Sequence, residues 1–342
     1  ATTSSGSVAI GYQAGKSIST GNNNIAIGHN AINGGTVTGD NNIAIGVDAG
    51  DNLTSGYDNI LMGKDAGGQL ATGVQNIAIG DSALDAADGA EDYNIAIGNN
   101  ALGTLNHNGA QYNIAIGADS VAGGTAELLG VVAIGQVAGQ SINSADANYT
   151  VAVGYSALRN NTSGIGNVAV GYAALSVEDD GDFNTAIGYQ ALTAQTGTTG
   201  TVGNTAVGYQ SGVAVTSGVH NTLLGKSAAA ALQTGGYNVA IGGNALVSED
   251  TGTATIAIGY GAAYSQNYDG SSGTVVIGHN AGYHNVTGVN NTYLGKGSGL
   301  GASGQSNSYN TAVGADALLA ITTGTQNVTV GAAAMVAVTT GG

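Results

Sequence analysis

Residues 24–31 read Asn-Ile-Ala-Ile-Gly-His-Asn-Ala, and residues 42–49 read Asn-Ile-Ala-Ile-Gly-Val-Asp-Ala. The phrase, or a close variant of it, returns nineteen times. Its closing glycines begin at Gly11, Gly28, Gly46 and Gly63, end at Gly314 and Gly331, and are always 17 to 20 residues apart. A fixed period of this length is the mark of a repeat architecture. Runs of Ile and Val bounded by Gly, Asn and Ser read as short strands. One unit is too short for a strand–helix–strand crossover. Two short strands and two turns fill it, which makes one coil of a solenoid. The fold expected is all-β: a parallel β-solenoid, or β-roll, of about nineteen coils of 17–20 residues. No break in the series marks a linker, so residues 1–342 read as a single continuous repeat solenoid.

Composition agrees with a fibrous design. The 342 residues include 61 glycines but no proline, cysteine or tryptophan, and only 8% are charged, against about 25% in ordinary globular domains. The net charge is −16, and the five basic residues, Lys16, Lys64, Arg159, Lys226 and Lys296, are scattered. Binding to phosphate backbones needs clustered positive charge, so nucleic acid is a poor partner. No apolar run is long enough to cross a bilayer as a helix, so this segment is not expected to insert in a membrane. A hexapeptide left-handed β-helix ranks second, because it wants an aliphatic residue every six positions. The chain opens Ala1-Thr2-Thr3 with neither Met nor a leader, as expected of a processed or excerpted sequence.

Alternate strand residues face opposite sides. In 24–28, Ile25 and Ile27 share one face while Ala26 and Gly28 share the other, and neither is polar. Strands apolar on both faces are normally buried on both, yet a thin coil has one interior. The second face is therefore expected to meet another copy of the chain, with either the Ala26 and Ala44 series or the Ile25 and Ile43 series at the seam.

The motif Asn-Ile-Ala-Ile-Gly-x-x-Ala, as at 24–31, resembles the head repeats of trimeric autotransporter adhesins. Variants such as Asn184-Thr185-Ala186-Ile187-Gly188-Tyr189-Gln190-Ala191-Leu192 resemble repeats of phage tail fibres. The resemblance covers essentially the whole chain. It implies a left-handed, homotrimeric roll and a non-enzymatic structural or adhesive role. The chain would be extracellular, on a bacterial cell surface or a phage virion, with a cell-surface glycan or host receptor as partner. The coils here are a few residues longer than the adhesin repeat, and no neck, coiled-coil stalk or membrane anchor accompanies them. The alternative is a self-assembling extracellular filament subunit, since neither end carries a polar cap. An enzymatic glycan-processing rod would need an acidic pair in a groove. An ice-binding solenoid would need a longer threonine array than Thr185, Thr205 and Thr222 provide.

Four features carry candidate chemistry. An asparagine precedes most strands, among them Asn24, Asn42, Asn59, Asn76, Asn94 and Asn113. Stacked identical amides can bond to one another along a solenoid, so this column is expected to be a structural ladder. The residue after the motif glycine is tyrosine at Tyr155, Tyr172, Tyr189 and Tyr209 on consecutive coils, and also at Tyr12 and Tyr260. Such a stripe offers flat apolar faces with hydroxyl edges; it is either a stiffening stack or a glycan-binding surface. Lys64, Lys226 and Lys296 occupy the same slot, and His29 and His279 read as further variants of it. Acidic turns at Asp85, Asp88, Glu91 and Asp92, and at Glu178, Asp179, Asp180 and Asp182, could lend oxygens to calcium, but their spacing fits no standard loop. No cofactor, catalytic residue or defined metal set is expected. Gly299-Leu300-Gly301-Ala302-Ser303-Gly304 spells a dinucleotide-binding phrase, but does not join a strand to a helix.

Overall fold

A computed structural model describes residues 4–122, 124, 126–196 and 200–336. It is all-β, a parallel β-solenoid of about nineteen turns. Only one short 3-10 turn, Ala145–Ala147, is helical among the described residues. The chain forms two compact units, Ala1–Val170 and Gly171–Gly342. The first carries ten motif strands of three residues each, from Val8–Ile10 to Val168–Val170. The second carries nine, from Thr185–Ile187 to Val328–Val330, and a short parallel pair, Gly181–Asp182 with Gly200–Thr201.

Within each unit every motif strand pairs in parallel with its equivalent one coil on. Ile25, Ala26 and Ile27 lie beside Ile43, Ala44 and Ile45; Thr205, Ala206 and Val207 lie beside Thr222, Leu223 and Leu224. The ladder continues past the strand, for Gly28 N donates to Ile10 O at 2.8 Å and Gly46 N to Ile27 O at 2.8 Å.

Among the described residues each coil has one three-residue motif strand, and only two coils add a short second one, Gly181–Asp182 and Gly200–Thr201, where two strands per coil were expected. The return half is built from turns. The second and fourth residues after the motif glycine sit in the left-handed region, as at Asn30 (φ 55°) and Ile32 (φ 49°), or Asn100 (φ 56°) and Leu102 (φ 49°). That conformation costs a non-glycine residue on the order of 1 kcal/mol. Coil-to-coil hydrogen bonds offset the cost: Asn30 N donates to Tyr12 O at 2.9 Å, and Ile32 N to Ala49 O at 3.1 Å. The turns thus stack as a strand would, without being extended. Asn, Asp and Ser are common at the first of the two sites, as their tolerance of this region predicts.

The strand's faces resolve clearly. Ala26, Ala44, Ala78 and Ala96 point into the coil and are fully buried, against Ala31, Ile32, Leu84 and Leu102 from the turns. Ile25, Ile27 and their equivalents point outward and stay partly exposed, reaching 36% at Ile79 and 45% at Leu224. The face that a single chain leaves uncovered is therefore the isoleucine face.

Where the inward alanine is replaced by leucine or tyrosine, a glycine takes a facing turn position. A Cβ on Gly50 or Gly67 would come 2.8 or 2.7 Å from the Leu61 methyls, one on Gly212 2.6 Å from Leu223, and one on Gly299 2.5 Å from the Tyr293 ring. Interiors packed at crystal density allow no other arrangement without a shift. Buried Tyr293 satisfies its hydroxyl by donating to Asn307 Oδ1.

Candidate functional site

The outward face of each coil is set by the five-residue motif. The asparagine turns in, the two aliphatic residues flanking the alanine turn out, and the chain then bends at the glycine. The positions just before the asparagine and just after the glycine are also exposed. Seen from outside, a coil presents four slots in a row: a margin residue, two aliphatic residues, and a second margin residue. Parallel in-register stacking turns each slot into a column.

Inside that row, the asparagines form a buried chain of amides. Asn42 Nδ2 donates to Asn24 Oδ1 at 3.1 Å and to the Gly56 carbonyl at 2.9 Å, while Asn24 Oδ1 also accepts from Asn42 N at 2.9 Å. Asn59, Asn76, Asn94 and Asn113 repeat the pattern, as Asn221 does in the second unit. Asn24, Asn42, Asn59, Asn76, Asn94 and Asn113 are all fully buried, which leaves them no access to a ligand. Each amide joins its own coil to the next and ties the strand's start to a turn carbonyl. Burying an amide unpaired would cost about 1–3 kcal/mol, and the run from Asn24 to Asn113 avoids that.

The margin after the glycine holds the tyrosine stripe. Tyr172 and Tyr189 stack with ring centres 5.1 Å apart and planes 11° apart; Tyr189 and Tyr209 follow at 5.3 Å and 8°. The three residues are between 43% and 48% exposed, so part of each ring remains open to solvent although Tyr189 is sandwiched between its two neighbours. Tyr155 occupies the same slot in the first unit. The histidines join the same columns: His29 stacks on Tyr12 at 5.2 Å and His279 on Tyr260 at 5.6 Å. Lys64 donates to the Asp65 carboxylate beside it. Residues 197–199, in the longer loop before Gly208, lie outside the described residues.

A second aromatic column stands on the opposite margin, before the asparagine. Tyr93 and Tyr112 stack there at 5.1 Å and 13°, and His220 and Tyr237 meet at 5.2 Å. The sequence held the signal for it: tyrosine directly precedes the motif asparagine at Asn94, Asn113, Asn238 and Asn310.

The acidic turns resolve into structural caps. Glu178 and Glu249 are buried, and each accepts from the backbone N–H three residues on, Gly181 at 2.8 Å and Gly252 at 2.7 Å. Buried Glu91 accepts from Gly89 N at 2.9 Å. Glu178, Asp179 and Asp180 can bring one oxygen each within 4.8 Å of one another; calcium takes six to eight. Burial raises the carboxyl pKa of Glu91, Glu178 and Glu249 above the ordinary 4.5, with their backbone donors opposing in part.

A pH dependence follows. A raised folded-state pKa means that folding favours the protonated acid, so this contribution is complete below 4.5 and is lost as pH rises through the folded values. The melting temperature should therefore be higher at about pH 5 than at about pH 8. The double variant Glu178→Gln, Glu249→Gln should flatten that slope. A melting temperature that falls on acidification over this range would contradict the assignment.

No helix among the described residues is long and apolar enough to cross a membrane. Comparison with known families, curated proteins and solved structures finds no match to this chain.

Proposed function

We propose that the chain is a non-enzymatic attachment fibre, a homotrimer whose aliphatic columns face a common axis while the aromatic margins remain at the surface. It would act outside the cell, on a bacterial surface or a virion, with a cell-surface glycan or other host receptor as its target. The observation that carries this reading is the outward pair of aliphatic columns. In the first unit they run through ten successive coils, from Val8 and Ile10 to Val168 and Val170. Soluble monomers leave apolar residues bare singly or in small patches, and larger contiguous ones mark interaction surfaces. A cyclic assembly closes such a surface on itself. The stacked margins favour attachment for a separate reason: identical weak sites on one rigid body raise effective concentration, and tyrosine supplies contact area at little entropic cost.

The stripe is tested by the double variant Tyr172→Ser, Tyr189→Ser on an array of immobilised glycans. Circular dichroism and melting temperature should match the parent, since all three rings are half exposed, and array binding should drop by at least tenfold. Undiminished binding by a folded variant would remove the stripe from the attachment surface.

A further inference from the structure

The aromatic column before the asparagines is interrupted at one rung. Tyr93, Tyr112 and Tyr149 hold that slot on coils six, seven and nine, with φ between 59° and 60°; on coil eight it is Gly130, with φ 64°. The missing side chain leaves a cleft of about 410 Å³ whose walls include Tyr112 and Tyr149, with Gln111, Glu127 and Leu129 around it. We propose that this cleft is a binding site for a single neutral hexopyranose ring, held between the two tyrosines. It is separate from the Tyr172–Tyr209 stack and does not depend on the chain being a trimer.

The dimensions favour one saturated ring. Adjacent rungs stack at 5.1 Å, so two coil steps of ~4.8 Å part Tyr112 and Tyr149 by roughly 10 Å at the backbone. An aromatic ring there would only restore the ladder; a pyranose, thicker and bearing C–H groups on both faces, can pack against the two tyrosine side chains that line the cleft. The rings are 59% and 71% exposed, so a ligand can enter from solvent.

Glycine keeps the cleft open at two points. A Cβ on Gly130 would stand 3.0 Å from Tyr149 Cδ1, and one on Gly109 would stand 3.2 Å from Glu127 Oε1. The polar groups suit hydroxyls: the Glu127 carboxylate accepts two hydrogen bonds, and the Gln111 amide both donates and accepts. A few placed polar groups on a largely apolar wall is the usual make-up of a small-molecule site. The sign of the charge sets the class of sugar. Glu127 lies in the cleft and the chain carries −16, so sialic and uronic acids are repelled while uncharged hexoses are not.

The test uses the full chain and saturation-transfer NMR with the methyl glycosides of glucose, galactose, mannose and N-acetylglucosamine, and N-acetylneuraminic acid as the anionic probe. At least one neutral glycoside should bind at a single site with millimolar Kd, and the anionic sugar should not. Gly130→Tyr completes the ladder. Its backbone already has nearly the φ at which Tyr93, Tyr112 and Tyr149 sit, and the Tyr149 side chain, exposed and 3.0 Å from the new Cβ, must turn aside to admit the added ring. This variant should keep the parent's circular dichroism and melting temperature and lose at least tenfold in affinity. If it fails to fold, Tyr112→Ala, at an exposed side chain, serves in its place with the same expected loss. Gly130→Tyr leaves the Tyr172, Tyr189 and Tyr209 side chains untouched, so a loss of binding in that variant assigns the site to the cleft and not to the stripe. The proposal is overturned if none of the four neutral glycosides binds, if the anionic sugar binds more tightly, or if a folded Gly130→Tyr or Tyr112→Ala variant binds like the parent.

Discussion

Gly80→Ala should unfold the coils around it, with a fall in melting temperature far larger than an exposed alanine substitution gives. All nineteen motif glycines have φ between 124° and 148°, a region essentially closed to residues with a Cβ; holding one there costs about 1–3 kcal/mol. The surroundings add to that cost. A Cβ on Gly80 would lie 2.4 Å from the Gly98 carbonyl oxygen and 2.6 Å from its carbon. Neither atom belongs to a flexible side chain, so relief means pulling two coils apart, and overpacking of this kind costs about another 1–3 kcal/mol. Gly304→Ala is the control. Gly304 is exposed, has φ 72° and meets nothing within 4 Å, so it should lose only the roughly 1 kcal/mol of a left-handed residue. Thermal melts of both variants decide the matter, and equal losses would refute the steric account. In a solenoid the damage should also be local, since each repeat contacts only its neighbours. Hydrogen exchange should accelerate near coils five and six before it does so at distant ones.

The second large effect concerns assembly. Ile77→Arg and Ala78→Arg alter adjacent residues of one strand and should fail in different ways. Ala78 is fully buried inside its own coil, so arginine there should abolish folding. Ile77 faces outward and is only partly covered, so arginine there should leave the chain folded. If the aliphatic columns are the seam between copies, it should nonetheless shift the mass by light scattering from trimer to monomer. Removing one partner from a buried charge costs about 3–5 kcal/mol, and in a cyclic trimer the cost recurs in every subunit. A parent chain that scatters as a monomer would end the trimer proposal outright. A trimeric Ile77→Arg variant would move the seam to another face.

Much of this design was legible in the residues, for reasons specific to them. The period was plain because the glycine and the asparagine each answer a requirement that recurs at every coil: a backbone angle in one case, a buried amide bond in the other. Which strand face turns inward was not legible. Isoleucine is the better core residue by hydrophobicity, and alanine is inside because the coil is too thin to hold more beside Leu102 or Ile32. That is a fact about the distance between the strand and its turns, which no window of sequence contains. The length of the unit leaves room for a second short strand in the return segment; the left-handed angles at Asn30 and Ile32 make it a stacked turn instead. The stripe Tyr172, Tyr189 and Tyr209 was visible through its fixed place after the glycine. The column through Tyr93 and Tyr112 was overlooked because its slot changes residue type so often. Its most informative member is Gly130, a side chain that is absent.

The pairing of a large strand residue with a small turn residue bears on how such a chain can grow or shrink. Coils of the Ala–Leu kind are self-contained cassettes: one can be duplicated or excised, and the neighbours still meet a surface they fit. Leu61, Leu223 and Tyr293 are different, because each needs a glycine on the preceding coil: Gly50, Gly212 and Gly282 in turn. A crossover that split any of these pairs would leave a leucine or tyrosine facing a side chain it has no room for. Recombination and engineered shortening should therefore respect breakpoints two coils wide at these places and one coil wide elsewhere, so a chain of look-alike turns carries its own rules of inheritance.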